Sequence, residues 1–140
     1  MSTPALHAAY LQTTYWVEAG PQPVALRIGE RSCALDRMLG ACRASRWAFV
    51  TAWNPRSELR PRWQNARRQR ALLHALRSSG WHWVGALAQG DGDDWPPEPG
   101  VLVLGISREQ ARRLGRRFRQ YAVVAGQRGG VARLVWCERP

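Results

Sequence analysis

Apolar positions along the chain follow two periods, and the switches between them predict most of its elements. Residues 9–17 are dense in aromatic and β-branched types and read as a strand. Gly20-Pro-Gln-Pro23 breaks regular structure, and residues 24–28 read as a short second strand. Ser32 fits an N-cap, with Leu35, Met38, Leu39 and Cys42 at the i, i+3, i+4, i+7 spacing of a helix face. Residues 47–53 form an apolar strand stopped by Asn54-Pro55, since proline cannot donate to a ladder.

A second helix is predicted from Pro61 to Ser79, ahead of Gly80. Alternation over 81–85 suggests a strand, and residues 90–100 read as a flexible acidic loop. The apolar run 101–106 suits a buried central strand. Ser107-Arg-Glu-Gln110 then matches a capping box, opening a helix with a narrow stripe of Ala111, Leu114, Gly115 and Phe118. Residues 121–125 and 131–136, joined through Gly126-Gln-Arg-Gly-Gly130, read as a closing hairpin. The class expected is α+β (mixed α/β), with a mixed sheet of roughly five to seven strands and about three packed helices.

Length and composition fit one compact domain over 1–140, with 45% hydrophobic residues and eight tryptophans arguing against disorder. The N-terminus lacks a basic start and a long apolar stretch, and no aliphatic run is long enough to span a bilayer. A soluble, cytoplasmic protein with no membrane partner is therefore expected. Cys33, Cys42 and Cys137 form no Cys-x-x-Cys pair. On one helix Cys33 and Cys42 would stand roughly 13 Å apart along the axis, so all three read as buried, inert thiols of a reducing compartment.

Charge changes the picture most. The net charge is +11, and all 21 basic residues are arginine. Codon bias toward arginine explains the missing lysine but not an excess of 21 cations over ten anions. Such a chain favours anionic partners, whether small ligands or nucleic acid. The helix at 61–79 has no carboxylate, and its arginines together with those of the next helix offer a nucleic-acid surface of Arg67, Arg68, Arg112, Arg113, Arg116 and Arg117. A solvated amphipathic face would look the same.

Two strand ends carry the candidate chemistry. Thr51-Ala-Trp-Asn-Pro-Arg-Ser57 and Leu104-Gly-Ile-Ser107 each end an apolar run in small polar residues, which could bring Asn54, Ser57 and Ser107 to the mouth of one crevice. Asn54 and Ser57 could bind a ligand carbonyl, hydroxyl or phosphate, or simply form an Asx turn and a helix-entry cap. Asn65, one turn into the helix, could point back at that loop. Ser107 caps a helix whose free amides can hold an anion. Glu98 could act as a base or pair with an arginine. His7, His74 and His82 are scattered and no metal ligand set exists; no cofactor fingerprint appears either.

These residues resemble a known set. Tyr10-Leu-Gln-Thr-Thr-Tyr15, the Asn-Pro-Arg-Ser core, Asn65, Glu98-Pro99, Gly105-Ile-Ser107 and Phe118, Gln120, Ala122 and Val123 resemble the bacterial domain-of-unknown-function 3293 family over roughly residues 10–136. Gly100 stands where the family leads one to expect a small hydroxyl residue, and Gln69 where a second asparagine often sits. The resemblance implies a small bacterial domain and carries no activity. The reading reached is non-catalytic binding of an anionic small ligand at Asn54, Ser57, Asn65, Glu98 and Ser107. Its alternatives are nucleic-acid binding through the arginine surface and a small enzyme using Glu98.

Overall fold

A computed structural model describes residues 2–140. The chain is an α+β protein in which, among the described residues, four α-helices pack on a seven-stranded sheet. In chain order the elements are α1 (Thr3–Leu11), β1 (Thr13–Val17), β2 (Val24–Leu26), α2 (Cys33–Ala41), β3 (Arg46–Val50), a 3-10 turn (Pro55–Ser57) and α3 (Arg62–Ser78). They continue with β4 (His82–Gly90), β5 (Glu98–Leu104), α4 (Arg108–Arg117), β6 (Ala122–Gln127) and β7 (Arg133–Trp136).

The strands run β2-β1-β4-β5-β3-β6-β7, and every pairing between them is antiparallel, not mixed as expected. Single bridges, Ile28 to Ala132 and Arg31 to Val131, join the chain beyond one edge strand to the chain before the other, so the sheet curls on itself. One face packs α3 and α4 through Leu72, Leu76, Ala111 and Phe118. The other packs α2 through Leu35 and Leu39 onto Tyr15, Val17, Trp47, Phe49 and Leu102. Successive strand residues face opposite sides, which is why Ala48, Val50, Val101 and Val103 sit in the first core and Trp47, Phe49 and Leu102 in the second.

The fourth helix, α1, corrects the strand expected to begin at residue 9. Ser2 accepts from the Ala5 amide, Pro4 stands in the first turn, and Ala5, Ala8 and Ala9 have the highest helix propensity. Those local terms outweigh the β preference of Tyr10. His7 and Tyr10 reach the Trp136 ring, at 6.3 and 5.9 Å between centroids, so α1 crosses from β1 toward β7. The acidic loop also shrinks, because β4 runs to Gly90 and pairs Ala88 with Glu98, Leu87 with Pro99 and Ala86 with Gly100. Cys33 and Cys42 are exposed, against expectation; Cys137 is buried, which pushes its thiol up to about 11.

Gly100 has a steric reason. A Cβ there would strike the Phe49 ring, 2.7 Å from Cε2, and come within 3.0 Å of the Val50 carbonyl oxygen. Overpacked core positions cost roughly 1–3 kcal/mol. Gly100→Ala is expected to lower stability by about that much in urea denaturation, and Gly100→Ser at least as much.

Candidate functional site

The site is built on the chain reversal after β3. Asn54 adopts left-handed angles (φ 46°, ψ 64°), and Arg56 and Ser57 are also left-handed, with φ of 54° and 55°. Such conformations cost on the order of 1–3 kcal/mol each and persist only where the surroundings over-determine them. Here the surroundings do so bond by bond. Ala52 N–H donates to Gln69 Oε1, Trp53 N–H to Thr51 Oγ1 and Asn54 N–H to Asn65 Oδ1, at 3.0, 3.0 and 2.8 Å. Arg56 N–H donates to the Arg119 carbonyl, Ser57 N–H to that of Asn54, and Arg60 N–H to Asn54 Oδ1. Gln120 Nε2 donates to the Trp53 carbonyl at 3.2 Å. The loop is thus held from α3 by Asn65 and Gln69, one helical turn apart, and from the end of α4 by Arg119 and Gln120.

These bonds fix the amide orientations. Asn65 Oδ1 accepts from a backbone N–H, so its Nδ2 is the group that donates to Asn54 Oδ1, at 2.8 Å. Asn54 Oδ1 also accepts from Arg60, which leaves Asn54 Nδ2 to donate to Glu98 Oε2, at 2.9 Å. Trp95 Nε1, a donor only, reaches the same oxygen at 2.7 Å. Glu98 Oε2 therefore accepts twice, whereas Oε1 receives no protein donor among the described residues. Burial raises the Glu98 pKa above its ordinary value, against the lowering effect of the Asn54 and Trp95 bonds. When the carboxyl protonates, its proton belongs on Oε1.

Glu98 lines a cavity of about 260 Å³ together with Asn54, Ser57, Gln120, Thr51 and Trp95; Leu6 and Tyr10 come from α1, and Tyr15 and Phe49 from the sheet. Burial first, and the Glu98 charge second, raise the Tyr10 phenol well above its ordinary range, so it remains a neutral donor. Asp91 and Asp94 stand at the rim, and no arginine lines the cavity. Asp91 is held below the ordinary carboxylate range by Arg27, whose guanidinium grips both carboxylate oxygens at 2.9 and 3.0 Å.

Asn54, Ser57, Asn65 and Glu98 are thus brought together, with Asn65 behind Asn54 and not in the cavity wall. Ser107 is not among them. Because β5 runs antiparallel to β3, Val50 pairs with Val101 and Trp47 with Leu104, so the end of β3 meets the start of β5. Ser107 follows the far end of β5, about 20 Å along the strand from Glu98. It caps α4 in a capping box with Gln110 and lines a separate depression with Arg46, Arg108 and Arg133. One crevice shared by Asn54 and Ser107 required parallel strands, and that expectation is corrected here.

Tyr10, Thr51, Trp95 and Gln120 were missed as site residues. Of the expected arginine surface, Arg112 and Arg116 donate to the carbonyls of Trp136 and Cys137, at 3.1 and 3.0 Å. Arg113 and Arg117 are exposed on α4, with Arg117 5.5 Å over the Phe118 ring, while Arg67 and Arg68 lie on α3. Among the described residues no helix is long and apolar enough to cross a membrane, and no group of three His, Cys, Asp or Glu is placed to hold a metal ion.

Fold and site define a small α+β protein with a carboxylate set in an aromatic cavity beside a strained asparagine turn. The chain belongs to the family described as protein of unknown function (DUF3293), whose model matches residues 50–123. That segment holds Thr51, Asn54, Ser57, Asn65, Trp95, Glu98 and Gln120 and leaves out Tyr10 and Tyr15. No curated protein and no solved structure matches the chain.

Two outcomes are expected. Asn65→Ala leaves the buried Asn54 N–H and one Asn54 Oδ1 bond unmet; an orphaned buried donor costs about 1–3 kcal/mol, which urea denaturation would measure. Glu98 has a folded pKa above its unfolded value, so its burial penalises folding most where the group is ionised in both states. That penalty fades as pH falls through the folded pKa toward the ordinary value of 4.5. Glu98→Gln should therefore gain stability relative to the wild type at pH 7–8 and lose that advantage near pH 4.

Proposed function

We propose that the protein binds a small amine or other cationic ligand in this cavity. The observation that carries the reading is Glu98, a carboxylate in the cavity lining whose Oε1 has no protein donor among the described residues, while its Oε2 is locked by Asn54 and Trp95. A ligand ammonium or amidinium would supply the missing donor as a charge-assisted bond. The walls support the same polarity. Tyr10, Tyr15, Phe49 and Trp95 present ring surfaces that attract cations. A volume of about 260 Å³ lies just below the range of drug-sized ligands, so the occupant is small.

An anionic ligand, the natural inference from net charge, suits this cavity poorly. Glu98 and Asp94 would repel it and no guanidinium in the lining would answer it. The arginines lie on the outside of the molecule. A second reading, in which Glu98 acts as general acid or base, draws support from its raised pKa and from an Oε1 that no protein group among the described residues engages.

Thermal melts across a panel of amines, guanidines, neutral amides and phosphorylated metabolites test the reading. A binding amine at a hundred times its Kd should add about 2.7 kcal/mol, seen as a higher melting temperature, and the gain should vanish in Glu98→Gln. Stabilisation by phosphorylated compounds that survives Glu98→Gln would overturn it. Turnover of a bound amine, abolished in the same variant, would select the catalytic reading.

A further inference from the structure

The arginines on the α3 and α4 face divide into two groups. Arg112 and Arg116 tie α4 to the chain around β7, and Arg56 and Arg60 pair with Glu138 and Glu58. Along α3 the pattern differs. Its 17 residues hold five arginines and His74 without one carboxylate. Among the described residues Arg62, Arg67, Arg68, Arg70 and Arg77 form no ion pair.

Their placement follows from the helix. Asn65, Leu72 and Leu76 are buried against the sheet. Trp63, Arg67, Arg70 and His74 recur at i, i+4, i+7 and i+11, a stripe on the opposite, solvent side. Trp63 is 64% exposed, and Leu59 just before the helix is 60% exposed. An indole left in water at the head of a cationic stripe is out of place in a core-forming role. Most of the other tryptophans sit in or beside strands.

A second cluster lies on the flank of the same helix. Arg68 lies on the flank of α3, one residue before Gln69, which grips Ala52, while Arg119 gives its carbonyl to Arg56 in the same loop. Arg68 Nε is buried and has no hydrogen-bond partner. Desolvation, and then the charges of Arg119 and Arg60, hold its guanidinium below its ordinary pKa. Like charges gathered round an unmet donor suit an anion with several acceptor oxygens.

We propose that α3 binds single-stranded nucleic acid, with Trp63 stacking on a base, Arg67 and Arg70 holding phosphodiesters along the outward face, and Arg68 with Arg119 holding others at its flank. Aromatic stacking beside a cationic track is how strands are bound without reading their sequence. A duplex keeps its bases inside the stack and would offer Trp63 nothing. This surface and the cavity are independent, since the cavity is lined on the α1 and β1 side by none of these residues.

Fluorescence anisotropy with labelled 20-nucleotide oligo-dT and oligo-U, titrated from 50 to 300 mM salt, tests the proposal in the full-length chain. Binding to one or both is expected, and the pair distinguishes a DNA from an RNA ligand. Trp63→Ala should weaken binding about 10-fold with an unchanged salt slope, and Trp63→Phe should restore most of it. Arg68→Gln with Arg119→Gln should instead flatten the slope of log K against log salt by about 1.4, since each phosphate contact on a single strand contributes about 0.7. Arg37→Gln, on α2 across the sheet, should leave affinity within about twofold. No binding at 50 mM salt overturns the proposal. So does tighter binding of duplex, heparin binding as tight as oligonucleotide and indifferent to Trp63→Ala, or a dimer in size-exclusion chromatography that Trp63→Ala dissolves.

Discussion

The pairing of Asn54 with Asn65 is the constraint on which the site depends. Asn65 meets the backbone N–H and the side-chain oxygen of Asn54 at once, and both residues are nearly inaccessible, at 3% and 2% exposure. In that enclosure each amide has one way to face, so the donor aimed at Glu98 follows from a bond made two steps away. The left-handed backbone at Asn54 follows too. Asparagine tolerates that region better than other non-glycine residues, and glycine would supply no side chain for Arg60, Asn65 and Glu98. Strain in the turn and order in the carboxylate share one cause.

Much of the architecture was legible because it rests on local terms. The capping box at Ser107 and Gln110, the α3 face of Leu72 and Leu76, and the apolar run of β5 are written in period and cap, and all stand in the structure. What failed depended on how strands pair. Nothing in residues 47–53 or 101–106 states whether they run parallel or antiparallel, yet that sign decides whether Asn54 meets Ser107 or Glu98. Glu98 itself looked like part of an acidic loop because Pro96, Pro97 and Pro99 surround it. It is ordered as the first residue of β5 by pairing with Ala88, while Pro99 gives its carbonyl to Thr51 Oγ1 at 2.6 Å. Two of the site residues overlooked, Tyr10 and Gln120, sit far from the motif in sequence. Tyr10 is brought in by a helix whose Ser2 cap and Pro4 were the available signal.

Gly100 and Gln69, the two positions where the resemblance led to other expectations, also acquire reasons. Gln69 takes the Ala52 N–H at 3.0 Å from a position one turn beyond Asn65, so its longer amide holds the loop two residues nearer the strand. Gly100 makes room for the Phe49 ring, itself in the cavity wall.

Charge is partitioned across this molecule in a way its total hides. A net charge of +11 describes the surface, where guanidiniums are hydrated and their mutual repulsion is screened within about 8–10 Å at physiological salt. At the cavity the local balance is negative, because Glu98 lines it, Asp94 stands exposed at its rim and the guanidinium of Arg27 is engaged by Asp91. Fields of short range in salt let both conditions coexist a few residues apart. Arg56 and Ser57 are consecutive, the one on the outer surface paired to Glu138, the other in the cavity wall. The left-handed turn sends neighbouring side chains to opposite environments, so the same strained loop that positions Asn54 also separates the cationic exterior from the acidic interior.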